Sequence, residues 1–125
     1  MLLDGDGNPI HRVPHQEDFE LRNRRLTAAQ QESIEQDINR RIDESEKNGE
    51  LIFCSSWIAG SDWSNTPLAP LYDVCGQDEE VAKLYWGQWC WYALMNRADC
   101  FMFERIDHLE PERICGLTYW RVTCS

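Results

Sequence analysis

Apolar positions recur along this chain in distinct rhythms, and each rhythm predicts an element. Ile34, Ile38 and Ile42 fall at four-residue spacing, the repeat that lines one face of a helix. Thr27-Ala28-Ala29-Gln30 just before them has the form of a capping box, in which the threonine oxygen takes an orphan amide and Gln30 reaches back. The helix is expected over about 27–48, with Gly49 as its left-handed stop. Asp37/Arg41 and Asp43/Lys47 are favourable pairs one turn apart. A stripe only one isoleucine wide describes a surface helix held by a seam, against its own domain or against a copy of itself.

From Leu51 to Ala59 apolar residues occur at both parities, which predicts a strand buried on both faces and interior to a sheet. Residues 60–77 read as an irregular segment, with Trp63 a large aromatic among polar neighbours and Pro67-Leu68-Ala69-Pro70 an extended connector. A second helix is expected over about 78–97, opening on the acidic turn Asp78-Glu79-Glu80. On a helical wheel Val81, Leu84, Tyr85, Gln88, Tyr92 and Met95 share one face, expected to pack on the sheet. Trp86, Cys90 and Leu94 make the opposite side apolar as well. A surface helix is polar there, so these three are expected at a subunit or partner contact, with Trp63 a further interface candidate.

Two more strands follow, Cys100 to about Asp107 and Arg113 to Cys124, joined as a hairpin. Placing Asp107 opposite Arg113 sets Phe101 against Tyr119, Phe103 against Leu117, Cys100 against Trp120, Met102 against Thr118 and Glu104 against Gly116. Asp99 then faces Arg121, so opposite charges bound the aromatic pairs. At the other end of the chain, residues 1–26 read as an extended arm. Asp4-Gly5-Asp6-Gly7-Asn8-Pro9 begins like a calcium loop, but Pro9 stands where glycine is needed and His15 where the bidentate glutamate belongs, so it reads as a turn. Arg22-Asn23-Arg24-Arg25 is expected to make local ion pairs. The expected fold is α+β: one domain over 1–125, with a three- to four-stranded antiparallel or mixed sheet and two helices. Thirteen of the fourteen aromatic residues follow position 50, which places the core mainly in 51–125.

Composition narrows the function classes. Charged residues make up 27% of the chain and its net charge is −10, which disfavours nucleic acid and anionic membranes and suits a basic protein partner or a cationic ligand. The chain opens without a basic stretch leading into an apolar one, and no run reaches membrane-spanning length, so a cytoplasmic protein is expected. The six cysteines form no Cys-x-x-Cys pair, and four sit in apolar patterns, so buried thiols are expected rather than zinc ligands or disulfides. No cofactor or metal is expected.

Glu104 is the polar residue with the most chemical content. The hairpin register turns it toward a largely apolar face, where a carboxylate holds a cation or works as a raised-pKa acid. Trp57, Trp91 and Trp120 would supply cation–π walls and Gln88 a polar floor for a small apolar or cationic ligand. An enzyme using Glu104 as its acid or base lacks a nameable second catalytic group. The leading expectation is a non-enzymatic, homo-oligomeric module acting through protein contacts.

Overall fold

The computed structural model describes residues 1–47, 52–54, 69–76, 78–105 and 117–124, without the side chains of 52–54, 79–80, 104–105 and 117–118. The fold is α+β. Its described elements, in chain order, are α1 (Gln16–Asn23), α2 (Ala28–Lys47), β1 (Ile52–Cys54), α3 (Ala69–Val74), α4 (Glu79–Met95), β2 (Cys100–Arg105) and β3 (Leu117–Val122). The strands are antiparallel in the order β1-β3-β2.

The predicted helix over 27–48 forms with the predicted cap. The Gln30 amide donates to the Thr27 hydroxyl at 3.1 Å, and the Gln30 side chain accepts from the Thr27 amide at 2.8 Å. Ile34, Ile38 and Ile42 are all fully buried, so the isoleucine seam is spent inside the chain. Asp37 pairs with Arg41 at 2.7 Å and with Arg40 at 2.8 Å. Asp43, expected to pair with Lys47, reaches Arg97 beyond the end of α4 instead.

The first 26 residues depart furthest from expectation. They are not an extended arm: α1 occupies 16–23, with acidic Glu17 and Asp18 in its first turn and Arg22 in its last, matching the helix dipole at both ends. Leu2, Val13, Phe19 and Leu26 are buried with the aromatic core. Leu2 bridges Phe101 in parallel, so residues 1–3 lie along the edge of β2 away from β3. The turn at Asp4–Pro9 forms as read. The Asp4 carboxylate accepts from the Asp6 and Asn8 amides, and Gly7 takes φ +82°, which favours glycine.

α3 is a second departure, since 60–77 was expected to be irregular. Pro70 sits in its first turn, where proline's missing amide costs nothing, and fully buried Leu71 anchors it. Trp63 and the rest of 60–68 lie outside the described residues. Of the strand expected over 51–59, residues 52–54 are described; they pair with β3 at one end of the sheet order rather than in its interior, and β3 is central.

The hairpin strands form where expected, but their register differs by two residues. Cys100 pairs with Val122, Phe101 with Arg121, Met102 with Trp120, Phe103 with Tyr119 and Glu104 with Thr118. A shift of two leaves every residue on its original sheet face, so the alternation survives while the partners change. The cysteines also differ from expectation: Cys100 and Cys124 form a disulfide.

Candidate functional site

The aromatic surface of α4 is where sequence placed the site, and the structure shows what occupies it. Phe19 of α1 packs against Trp89, Tyr92 and Tyr85, with ring centroids 5.2, 5.5 and 6.0 Å apart. The face expected to meet the sheet therefore meets α1, and Leu84, assigned to that face, is 69% exposed. The sheet is reached through Trp91, whose ring lies 4.5 Å from that of Phe103.

Gln88 and Trp91 were expected to line a ligand pocket. Both are buried, and both hold backbone of the segment leading into α1. The Gln88 side-chain nitrogen donates to the Pro14 and His15 carbonyls at 2.7 and 3.3 Å, and the Trp91 indole donates to the Arg12 carbonyl at 2.9 Å. His15 carries a left-handed φ of 53°, which presents consecutive carbonyls to Gln88 as the chain turns into the helix. These two side chains hold the backbone of residues 12–15 against α4. Trp120 is half-buried, paired in register with Met102 two positions along the ladder from the Glu104–Thr118 pair. The Glu104 side chain and all of Trp57 lie outside the described residues.

Trp86, Cys90 and Leu94, expected at an intersubunit contact, are 2%, 0% and 0% exposed within their own chain. A side chain with no accessible surface has none to offer a partner, so that expectation is corrected. Among the described elements, α2 and α3 both lie on α4, while α1 meets its Tyr85–Tyr92 face. The wheel undercounted them because only α2 had been recognised as a helix N-terminal to α4.

Sequence reasoning missed the charged network at the C-terminal end of α4. Arg97 donates to Asp99 at 2.9 and 3.0 Å, to Asp43 at 2.7 Å and to Asn39 at 3.1 Å, tying α2 to the start of β2. Arg121 of β3 reaches both Asp99 and Glu46 at 2.5 Å. Both guanidinium groups lie 5.7 Å from the Phe101 ring centroid, within cation–π range. Burial alone would lower the Arg97 pKa, but the hydrogen bonds from Asp99 and Asp43 outweigh it and raise the value. Burial likewise pushes the Asp99 carboxyl up, and Arg97 with Arg121 more than offsets this, leaving it below its usual range. Carboxylates stabilised as anions are poor proton donors at neutral pH, so this network is a fastener rather than an acid–base site. The expected pairing of Asp99 with Arg121 was its one legible part.

Tyr85 is also perturbed. Burial raises its pKa to about 12, its hydroxyl meets the Asn23 side chain, and Arg22 stacks over its ring at 5.8 Å. Arg22 thus joins an aromatic face rather than a local ion pair, and Arg25 donates to the Val74 carbonyl. An open depression of about 480 Å³ on α2 is lined by Gln36, Asn39, Arg40, Asp43, Glu44 and Lys47. It has no aromatic wall, and Arg40 and Asp43 are already committed to ion pairs. Among the described residues no group of three His, Cys, Asp or Glu side chains converges as a metal site, and no helix is long and apolar enough to cross a membrane. No protein-family model, curated protein or solved structure matches this chain, so its site is read from its own geometry.

Proposed function

We propose that this chain is a non-enzymatic contact module that docks a basic, amphipathic protein partner. The observation carrying this reading is the outer face of α1. Leu21 is 55% exposed there, one turn beyond exposed Glu17 and Asp18 and therefore on the same side of the helix. A leucine beside two carboxylates suits a partner that offers an apolar side chain beside lysine or arginine. The net charge of −10 adds long-range attraction, which raises the rate of encounter with a cationic surface. Arg24 at the far end of the face favours one orientation of the partner.

Self-association loses its main support with the burial of Trp86, Cys90 and Leu94, so the partner is read as a different chain. The Cys100–Cys124 disulfide favours an oxidising compartment over the cytoplasm expected from sequence. Neither the small-ligand pocket nor the Glu104 enzyme is favoured by an observation among the described residues.

The test is titration of the protein with a labelled helical peptide of lysine and leucine, followed by fluorescence anisotropy at low and high salt. Binding should weaken as salt rises, and Glu17→Lys with Asp18→Lys should weaken it tenfold or more while lowering the melting temperature by only the few degrees that reversing charge at a helix N-terminus costs. Equal binding by the charge-reversed variant would refute the docking face. Sedimentation showing a stable dimer closed over Leu21 would refute the heterologous partner.

A further inference from the structure

The Cys100–Cys124 disulfide joins two very different environments. Cys100 begins β2 and is 2% exposed, enclosed beside Phe101 and the residue 1–3 segment. Cys124 lies two residues beyond β3 and is exposed, as is Thr123 before it. Thiol–disulfide exchange needs an attacking thiolate in line with the S–S axis, behind the sulfur it attacks. Residue exposure therefore favours attack at Cys124 over buried Cys100.

We infer that Cys124 is a thiol-exchange site, taking small thiols of the glutathione class, and that the disulfide is a clasp opened from that side. The incoming thiolate sulfur bonds to the Cys124 sulfur as the S–S bond breaks. The bonding electron pair leaves with the Cys100 sulfur, which takes a proton from solvent. The product is a mixed disulfide on Cys124 and a buried thiol at Cys100. A second thiol attacking the mixed disulfide then frees Cys124 and carries both electrons' worth of oxidation away as a small-molecule disulfide. The clasp closes the end of the β2–β3 hairpin where Cys100 and Val122 are paired. Once it opens, that end is held by ladder hydrogen bonds and by Arg121, an exposed side chain whose ion pairs are screened by solvent. The segment after β3 is released while the helices keep their packing.

The experiment incubates the native full chain with millimolar glutathione, quenches with acid and maps the adducts by peptide mass spectrometry. Adduct should lie on Cys124 over Cys100 by at least tenfold, with no denaturant present. Adduct on Cys100, equal labelling of both, or reaction only once the chain is unfolded would overturn the assignment. Amide hydrogen exchange on the reduced protein is the second readout. Exchange at Arg121 and Val122 should approach that of unprotected amides, while Ile34, Ile38 and Ile42 lose no more protection than the fall in global stability accounts for. Unchanged exchange at β3 would show that nothing is released, and loss of protection across α2 beyond the fall in global stability would show a structural staple. Either result would sink the clasp.

Discussion

Phe19 is the single point through which α1 enters the core, and its removal tests the largest difference between pattern and fold. The side chain is buried and touches three aromatic rings of α4, at 5.2, 5.5 and 6.0 Å. Truncating a buried phenylalanine to alanine costs about 3–5 kcal/mol, from lost transfer energy plus the cavity left behind. Tyr85, Trp89 and Tyr92 belong to one helix and cannot close that cavity independently, so Phe19→Ala should fall near 4 kcal/mol, toward the middle of that range. For a chain of 125 residues the unfolding entropy is about 0.26 kcal/mol per kelvin, so the melting temperature should drop by about 15 °C. Phe19→Leu keeps most of the volume and loses the edge-on ring geometry, which should cost about 1–1.5 kcal/mol. Urea denaturation followed by tryptophan fluorescence reads both, because Trp89 lies in the contact. Leu21→Ala, two positions away on the exposed face, should stay within about 0.5 kcal/mol of the parent. A Phe19→Ala loss below about 1 kcal/mol would refute the docking of α1, and with it the account of what covers α4.

Three further outcomes follow from particular contacts. Thr27→Ala removes the hydroxyl that accepts the Gln30 amide, and should cost about 1 kcal/mol in urea denaturation. Breaking the disulfide, which spans 24 positions, should cost about 3.4 kcal/mol by loop entropy, read as the difference in unfolding free energy with and without reductant. Burial pushes the Asp37 carboxyl up, but hydrogen bonds from Arg40 and Arg41 bring its pKa below the ordinary value. Its stabilisation is therefore present above the unfolded carboxylate pKa of about 3.9 and is lost as pH falls through the lower folded value. Asp37→Asn should cost about 1–3 kcal/mol at pH 7, less than a fully buried pair because Arg40 is half exposed, and should flatten the loss of stability below about pH 4.

What was legible in the sequence was strong and local. The Thr27–Gln30 box and the isoleucine repeat specify α2 through contacts within one or two turns, and the acidic turn at Asp78 starts α4, with the Asp78 carboxylate accepting from the Val81 amide. α1 was passed over because it has a single buried residue, Phe19, and no apolar repeat to detect. Its signal lay in charge order, acids early and arginines late, which was instead read as a basic cluster. α3 is too short for any period and declares itself through Pro70 and Gly76, the latter at φ +65°. The role of Gln88 and Trp91 in holding α1's lead-in was missed for a related reason: their partners are main-chain carbonyls of residues 12–15, and backbone acceptors leave no trace in residue identity.

The hairpin register shows where local evidence was ambiguous and what would have resolved it. Registers two residues apart keep the same side chains on the same face, so burial alone does not choose between them. Charge did not choose either, because Asp99 precedes β2 and reaches Arg121 from one register step away, at 2.5 Å, although Arg121 pairs with Phe101. The cysteines discriminate. With Cys100 opposite Trp120, Cys124 would stand four residues further along, roughly 13 Å at strand rise, beyond the roughly 7 Å that a disulfide spans between Cα atoms. With Cys100 opposite Val122, Cys124 is two residues on, and a bend after β3 brings its Cα to 5.5 Å. Treating the six cysteines as buried hydrophobes removed the one long-range constraint that separates the two pairings.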